Sequence, residues 1–155
     1  MIYRTATEKD IEQIKHVLHQ CYNIESPDEG EKAVKEELEK RYNFIIAEEE
    51  GKVLGFASWR MHGLPKHQLC ELDRIAVLPE VRGKGVAKEL FNALAKEADE
   101  SYKKHGFRLR KLYLMTHADN KRAHSFYEKM GLTHETMLKS HFYHDKDEAV
   151  FSKFF

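Results

Sequence analysis

A glycine-containing stretch between a strand-like run and a long amphipathic segment has the clearest chemical content in this sequence. It reads Leu-Pro-Glu-Val-Arg-Gly-Lys-Gly-Val-Ala over residues 78–87. Glycines at 83 and 85 allow tight backbone turns, and the first N–H groups of the following helix have no intrahelical acceptor. Such N–H groups, together with the helix dipole, bind phosphate oxygens, and Arg82 and Lys84 add positive charge. The stretch therefore predicts a loop that binds a phosphate-bearing compound.

Two well-known phosphate motifs do not match this loop. A P-loop requires GxxxxGK[ST], but Leu78 stands at the position of the first glycine and Gly85 at that of the Ser or Thr. A dinucleotide-binding GxGxxG motif requires a third glycine and the first turn of a parallel βα repeat. Here the loop follows an antiparallel run and the third glycine is missing. Neither nucleotide fold is therefore expected.

A second motif lies at residues 120–132 and reads Asn-Lys-Arg-Ala-His-Ser-Phe-Tyr-Glu-Lys-Met-Gly-Leu. With it, the sequence resembles the GNAT N-acetyltransferase superfamily. Residues 82–87 fit its pyrophosphate loop, R/Q-x-x-G-x-G/A, and residues 120–132 fit N-x-x-A-x-x-F-Y-x-x-x-G-F/L. Residues 71–79 fit the strand before the loop, and the element order agrees over essentially the whole chain. The resemblance implies a single N-acetyltransferase domain over residues 1–155, with acetyl-CoA as co-substrate.

The resemblance also implies where acetyl-CoA binds. Backbone groups of the strand segment Ile75, Ala76 and Val77 would hydrogen-bond the pantetheine arm, with Ile75 and Val77 as the principal contacts. Asn120 would contact the cofactor from the start of the last helix, and Ala123 is small enough to let it pass. The amides that would hold the pyrophosphate are those of Arg82, Gly83, Lys84, Gly85, Val86 and Ala87.

Acetyl transfer to an amine needs a base, because an alkylammonium has a pKa of about 10.4. Glu71 is the candidate, since many members of the resembled family carry a strand glutamate six residues before the position of Val77. Period-2 alternation places Glu71 on one face with Asp73, Ile75 and Val77. Asp73 is a competing base and a water chain is a third alternative. A strand N–H such as that of Val77 would donate to the developing oxyanion.

Tyr127 is the candidate acid for the departing thiolate. A phenol has a reference pKa near 10, so it is protonated at neutral pH and can donate. Most of this assignment comes from the resemblance. The alternative is an ordinary core tyrosine at helical spacing with Ala123 and Met130. No Cys or Ser is placed to indicate a covalent acetyl-enzyme, so we expect direct attack of the amine in a ternary complex.

The acceptor amine is less well defined by the sequence. The resemblance implies that residues 22–29 and the loop at 139–145 wall the acceptor groove. The first segment is acidic, which suits a cationic amine but also describes a solvated charged face. Both a small-molecule amine and a protein or peptide amine fit. A catalytically silent acyl-CoA-binding sensor or scaffold is the alternative function, and a homodimer is a possible assembly alongside a monomer.

Hydrophobic periodicity supplies the elements that position these residues, in the order βααβββαβαββ. The pattern predicts an α/β (α+β) domain, with a mixed, mostly antiparallel sheet of about six or seven strands and helices on both faces. Thr7 to Asp10 has capping-box form, and Asp119 or Asn120 caps the last helix. The expected helices are 11–21, about 29–40, about 85–105 and one from about 120, and the expected strands are 1–5, 43–48, 52–61, 69–78, 111–115, 133–138 and 149–154.

Composition excludes several other classes of protein. The 155 residues suit one domain, and 26 basic against 26 acidic residues argue against a duplex nucleic-acid binder. No apolar run approaches the roughly 20 residues of a membrane span. Two cysteines without a CxxC spacing favour a reducing cytoplasm. The histidine pairs 16/19 and 141/144 lack further ligands, so we expect no metal site.

Overall fold

The structure is a computed structural model and describes residues 1–22, 26–40 and 42–155. These residues form the predicted order βααβββαβαββ, and short 3-10 turns lie at 8–10, 65–67 and 79–81. The helices are α1 (Ile11–Cys21), α2 (Pro27–Glu39), α3 (Val86–Lys103) and α4 (Lys121–Lys129). The strands are β1 (Ile2–Thr5), β2 (Asn43–Glu49), β3 (Lys52–Met61), β4 (Leu69–Val77), β5 (Lys111–His117), β6 (Thr133–Tyr143) and β7 (Lys146–Phe154).

The described strands make one seven-stranded sheet in the order β1-β2-β3-β4-β5-β7-β6. Neighbouring strands are antiparallel except β4 and β5, which are parallel. These two strands pair only where residues 69–71 face residues 111–113. Beyond that point, residues 72–77 of β4 and 114–117 of β5 diverge. We call the gap between these two segments the β4–β5 opening.

Helices cover both faces of the sheet. The indole N–H of Trp59 in β3 donates to Glu97 of α3 at 3.2 Å. On the other face, Glu37 of α2 pairs with Arg74 at 2.8 Å, and Arg74 lies opposite Ser58 in the register. Because Ser58 and Trp59 are consecutive in β3, their side chains point to opposite faces. We therefore distinguish an α3 face and an α2 face of the sheet.

The helix starts agree with the capping signals in the sequence. The Thr7 N–H donates to the Asp10 carboxylate at 2.7 Å, as a capping box requires. Asn120, rather than Asp119, caps α4, because its side-chain oxygen accepts from the Ala123 N–H at 3.1 Å. The second helix starts at Pro27, two residues earlier than expected.

A bulge in β4 disturbs the alternation of its side chains. The register pairs Ser58 with Arg74 but Trp59 with Leu72, so Asp73 is an extra residue in β4. A bulge of this kind leaves two residues opposite one and shifts the phase of everything beyond it.

The bulge corrects the face assigned to Glu71. Glu71 lies opposite Arg60, whereas Ile75 lies opposite Ala57, and these two partners are three residues apart in β3. Glu71 therefore lies on the α2 face and Ile75, with Val77, on the α3 face. The expectation that all three share one face is wrong, because simple alternation does not include the extra residue.

The closing hairpin is longer than the sequence pattern indicates. The expected polar loop at 139–145 mostly belongs to β6, which runs to Tyr143, and β7 already begins at Lys146. Nearly every residue of β6 is exposed, so this edge strand has no alternating hydrophobic pattern to reveal it. A register shift lies between Leu138 and Tyr143, and Ser140 has a positive φ of 46°.

Candidate active site and cofactor groove

The glycine loop lies directly before α3, at the end of the β4–β5 opening. Gly83 and Gly85 have φ of 77° and 82°, in the left-handed region that favours glycine. Lys84 between them is exposed. The N–H groups of residues 83–88 have no acceptor within the helix, since the first hydrogen bond of α3 is from the Glu89 N–H to the Gly85 carbonyl. The loop thus presents outward-facing amides at a helix N-terminus, an arrangement that fits a phosphate group.

The β4 edge of the opening carries the predicted strand contacts. The Tyr22 hydroxyl accepts from the Ile75 N–H at 3.2 Å and donates to the Ile75 carbonyl at 3.2 Å. The Val77 carbonyl accepts from Arg82 Nε at 3.0 Å. Ala76 is buried and, by alternation, turns its backbone groups toward β3. Ile75 and Val77 therefore face the opening, but both backbone groups of Ile75 and the carbonyl of Val77 already have partners within the chain.

Two phenols meet at this opening. Burial raises the pKa of Tyr22 to about 12, although its ring is partly exposed beneath the Arg74 guanidinium, 5.3 Å from the ring centroid. Burial also raises the pKa of Tyr127, and the nearby Tyr22 phenol raises that pKa further. Both hydroxyls are consequently protonated at neutral pH and can act as hydrogen-bond donors.

The second predicted motif forms α4 on the α3 face. Tyr127 is buried, and its ring packs 5.3 Å from that of Phe126 and 6.1 Å from that of Phe151 in β7. The Asn120 carbonyl oxygen is used by the helix cap, so its amide nitrogen is the group left for a cofactor. Ala123 is half-buried and lies one helical turn before Tyr127. The packing holds the Tyr127 hydroxyl beside the opening.

Glu71 marks the vertex where β4 and β5 separate, on the α2 face. Only 5% of the residue is exposed; its Oε2 accepts a hydrogen bond from Nε of Arg60 at 2.9 Å, and Nη2 of the same guanidinium lies 2.9 Å from that oxygen. Tyr113 lies across the last paired position of β5, and burial together with the nearby Glu71 carboxylate raises the pKa of Tyr113. His62 Nε2 lies 3.8 Å away. The side chain predicted as the base is therefore buried and firmly oriented.

Two further carboxyl groups join Glu71. Burial raises the pKa of Asp73, although Arg74 at 3.3 Å opposes the shift. Burial raises the pKa of Glu37 on α2 to about 7, against the effect of Arg74 at 2.8 Å. We call Glu37, Glu71, Asp73, Arg60 and Arg74 the carboxylate cluster. Glu37 can therefore exchange a proton near neutral pH, and the pKa of Asp73 is shifted in the same direction.

Sequence reasoning missed most partners in this cluster. Glu37 is one of several glutamates on a very polar helix, and nothing in the sequence separates it from the others. Tyr113 lies in a predicted strand, so simple alternation could have placed its side chain on the same face as that of Lys111. Tyr22 begins the expected acceptor segment, whose residues 23–25 lie outside the described part of the chain.

Comparison with known proteins gives the family. The sequence model described as the Acetyltransferase (GNAT) family matches residues 11–132. This chain belongs to the GNAT family. The resemblance drawn from the two motifs is thereby confirmed. The glycine loop and α4 both lie within the matched region.

The curated relatives are N-acetyltransferases by name. The chain is 35% identical over 91 residues to the uncharacterized N-acetyltransferase YjgM of Escherichia coli, covering 59% of this chain and 51% of the relative. It is 30% identical over 98 residues to the β-lysine N(6)-acetyltransferase of Methanosarcina mazei, covering 63% and 35%. The chain thus spans about half or less of the length of these relatives.

Solved structures confirm the fold of this GNAT chain. An aminoglycoside 6'-acetyltransferase type Ii superposes with a TM-score of 0.82 at 22% identity, covering 99% of this chain and 97% of that one. The ribosomal-protein-S18-alanine N-acetyltransferase of Escherichia coli gives 0.77 at 21% identity, covering 97% and 91%. An aminoglycoside 6'-N-acetyltransferase complexed with coenzyme A gives 0.81 at 18%, covering 99% and 97%. At these identities the likeness shows the fold.

Two further features are absent from the described residues. No helix there combines the length and apolar character needed to cross a membrane. Within the same residues, no group of three or more His, Cys, Asp or Glu side chains is arranged to hold a metal ion.

Proposed function

We propose that this GNAT protein is an acetyl-CoA-dependent N-acetyltransferase that acetylates a primary amine by direct attack in a ternary complex. One observation carries the proposal. The β4–β5 opening has the outward amides of residues 83–88 at one end and the carboxylate cluster at its vertex. A phosphate site and a proton-accepting site are thereby joined by one groove.

The residues present fit acetyl-CoA, which supplies an activated acetyl carbon as its thioester. The amides of the glycine loop and the exposed Lys84 would hold its pyrophosphate. Ile75 and Val77 offer backbone groups along the β4 edge for the pantetheine arm, once Tyr22 and Arg82 release them. Asn120 would contact the arm from α4. The groove therefore offers partners for the pyrophosphate and for the pantetheine arm.

The carboxylate cluster supplies the base in this proposal. Glu71 lies at the vertex with its second oxygen not used by Arg60, so it can take a proton from the amine that attacks there. Asp73, one step nearer the glycine loop, is the alternative, and burial raises its pKa. The Val77 N–H is a candidate donor to the developing oxyanion.

Tyr127 supplies the acid. The carbon–nitrogen bond forms as the carbon–sulfur bond breaks, and the departing sulfur needs a proton. A protonated phenol beside the opening can donate it, since burial keeps the pKa of Tyr127 above its usual range. No covalent enzyme intermediate is needed for this sequence of events.

The class of acceptor follows from chemistry and from similar proteins. The named acceptors among those proteins are amines: β-lysine, aminoglycosides and an alanine of ribosomal protein S18. The cluster carries three carboxyl groups and two guanidinium groups, so it attracts an ammonium while retaining cations that can bind an acidic part of the acceptor. A primary amine on a small molecule or a peptide suits this balance.

Thiol release from acetyl-CoA tests the proposal. The amine panel contains polyamines, aminoglycosides, amino acids, lysine peptides and peptides with a free N-terminus. We expect turnover with one class and at least a tenfold loss of kcat in Glu71→Gln. Glu128→Gln, an exposed glutamate on α4, is the matched control and should stay within twofold of the wild type.

The alternative of a silent acyl-CoA sensor predicts a different result. Calorimetry would then show acetyl-CoA binding without thiol release for any amine in the panel. The buried and oriented carboxylates favour the enzyme, because a binding module has no use for them. Absence of both binding and turnover would contradict the assignment of the glycine loop itself.

A further inference from the structure

A histidine–glutamate pair lies on the α2 face outside the carboxylate cluster. Glu148 of β7 is only 2% exposed, and its Oε1 lies 2.5 Å from Nδ1 of His117 in β5. A buried carboxylate that accepts from Nδ1–H fixes the tautomer and leaves the Nε2 lone pair free. No side chain among the described residues lies within hydrogen-bond distance of Nε2, and 39% of the His117 side chain is exposed.

The position of His117 relates it to the β4–β5 opening. Tyr113 and His117 are four residues apart in β5, so both side chains point to the α2 face, where Tyr113 lies opposite Glu71. Glu71 and Tyr113 are the last residues that pair across β4 and β5. Beyond that point, Ile75 comes three register positions after Glu71 on the β4 edge, because Asp73 is an extra residue, and His117 comes four residues after Tyr113 on the β5 edge. His117 therefore lies on the β5 edge of the opening, and Ile75 lies on the β4 edge.

The groups around the imidazole come from several elements. Glu148 faces it from β7, and the Tyr143 ring of β6 lies 5.6 Å away, edge to face. His124 of α4 bonds only the main-chain carbonyl of His117, at 3.1 Å. Beyond the end of β5, Asp119 has its pKa lowered by Lys146 at 2.6 Å and more weakly by His117. Glu148 is the acidic group in direct contact with the ring.

Amine acetylation requires two protons to leave the acceptor nitrogen. The acceptor arrives as R–NH3⁺, and the products are R–NH–CO–CH3, the thiol of CoA and one proton in excess. One proton must leave before attack, because the ammonium has no lone pair, and the second must leave after the carbon–nitrogen bond forms. The second proton balances the one that the sulfur gains from Tyr127. The first proton is the one in excess, so it has to reach solvent.

The geometry points to His117 as the residue that takes this first proton, at Nε2, and passes it to water, with Glu148 as its positioning residue. Glu71 is 5% exposed and bonded by Arg60, so it has no comparable route to solvent and suits the second proton. The exposed imidazole accepts from the ammonium and releases to bulk water, and the buried Glu148 stabilises the imidazolium between the two steps. This inference rests on the proposed function.

The pH dependence of His117→Gln tests the inference with the acceptor found in the amine panel. The wild type, in which His117 accepts the first proton from the ammonium, should show a shallower pH dependence of kcat/KM than the variant. The variant can use only amine that is already neutral, so its kcat/KM should rise about tenfold per pH unit between pH 6.5 and 9, given an ammonium pKa of about 10.4. We expect a loss of at least 30-fold at pH 7 that shrinks toward pH 10.

Controls separate this role from a structural one. His134→Gln changes a histidine whose ring packs 5.4 Å from Phe151, and it should follow the wild-type profile. Acetyl-CoA binding by calorimetry should be unchanged in His117→Gln. Glu148→Gln keeps the shape of the pair but removes its charge, and should lower kcat about tenfold. In histidine-labelled protein, ¹⁵N NMR should show the Nδ1-protonated tautomer in the wild type.

Several results would overturn the inference. A loss below threefold at pH 7, or an equal loss at every pH, would show that His117 does not take the proton. An Nε2-protonated tautomer of His117 in the wild-type NMR spectrum would exclude the role equally. This measurement does not depend on the stability of any variant. A wild type that turns over an amine while His117→Gln matches it overturns this inference alone. A wild type that acetylates no amine contradicts the proposed function as well.

Discussion

Two arginine–carboxylate clusters in this protein are built from the same types of side chain, but they shift the pKa values of their carboxyl groups in opposite directions. Near the N-terminus, Arg4 binds Asp10 at 2.8 and 2.9 Å and also bonds Glu48. Its hydrogen bonds hold the pKa of Asp10 at about 2, well below the usual value. In the carboxylate cluster of the opening, burial instead raises the pKa of Asp73 and brings that of Glu37 to about 7.

The number of donors per carboxylate explains the difference. Asp10 accepts two bonds from Arg4 and two more from the N–H and hydroxyl of Thr7. By contrast, Arg74 is shared, with one nitrogen on Glu37 and another 3.3 Å from Asp73. A fully bonded carboxylate gains from being charged, whereas a buried one with a shared donor does not. The first cluster is built for stability, and the second can exchange protons.

Replacing one aspartate in each cluster should give opposite phenotypes, with the largest effect in the opening. We expect Asp73→Asn to lower kcat by at least tenfold, because it removes the carboxyl group beside Glu71 that is the alternative proton acceptor. The free energy of unfolding of this variant should not fall, because the substitution removes a charge that the shared Arg74 stabilises only weakly. Kinetics with the acceptor from the panel and urea unfolding measure the two effects. Loss of stability with an unchanged kcat would show that both clusters stabilise the fold and that Asp73 takes no part in proton transfer.

Glu37 should make this protein less stable as the pH rises. Its pKa in the folded state, about 7, exceeds the ordinary 4.5, so the folded protein holds a proton that the unfolded chain has released. Stability is then full below about pH 4.5 and falls between pH 4.5 and 7, by up to about 3 kcal/mol at 1.36 kcal/mol per unit.

The variant Glu37→Gln isolates this effect. Its free energy of unfolding should vary less with pH than that of the wild type, and the difference between the two curves should grow from pH 4.5 to 7. Glu128→Gln is the control and should run parallel to the wild type. A difference curve that is flat over this range would contradict the raised pKa of Glu37.

Asp10 should show the opposite sign. Its folded pKa of about 2 lies below the ordinary 3.8, so its contribution is present above pH 4 and is lost as the pH falls toward 2. We expect Asp10→Asn to cost about 2 kcal/mol at pH 7. Urea unfolding at pH 7 and pH 2.5 measures this, and kcat should remain within twofold of the wild type. An equal cost at both pH values would mean that the charge of Asp10 is not the cause.

The sequence predicted the fold well because its signals were local. Caps at Thr7 and Asn120, the glycine loop and periodic apolar residues each fix one element, and the family resemblance supplies their arrangement. The extra residue at Asp73 left no such signal, since a bulge depends on how two distant strands pair. That one residue decides which face Glu71 occupies.

The candidate site was predictable only where it depends on motifs. The loop at 82–87 was predicted from its glycines and its place before a helix, and Tyr127 from the family resemblance of its motif; both lie beside the opening. Arg60 and Glu37 reach the site from β3 and α2 through contacts distant in sequence, and many charged residues of the same types are spread over the surface. The pKa of a buried carboxyl group depends on these contacts, so no local pattern could separate Glu37 from its neighbours.

The smallest expected effect concerns Tyr22, which links the carboxylate cluster to the cofactor groove. Its hydroxyl occupies both backbone groups of Ile75 that acetyl-CoA is proposed to use, so binding has to break these two hydrogen bonds. Removing the hydroxyl should cost about 1 kcal/mol of stability and tighten acetyl-CoA binding about fivefold. Calorimetry on Tyr22→Phe measures this, with Tyr3→Phe in β1 as the control. Weaker binding in Tyr22→Phe would mean that the hydroxyl moves to bond the cofactor rather than competing with it.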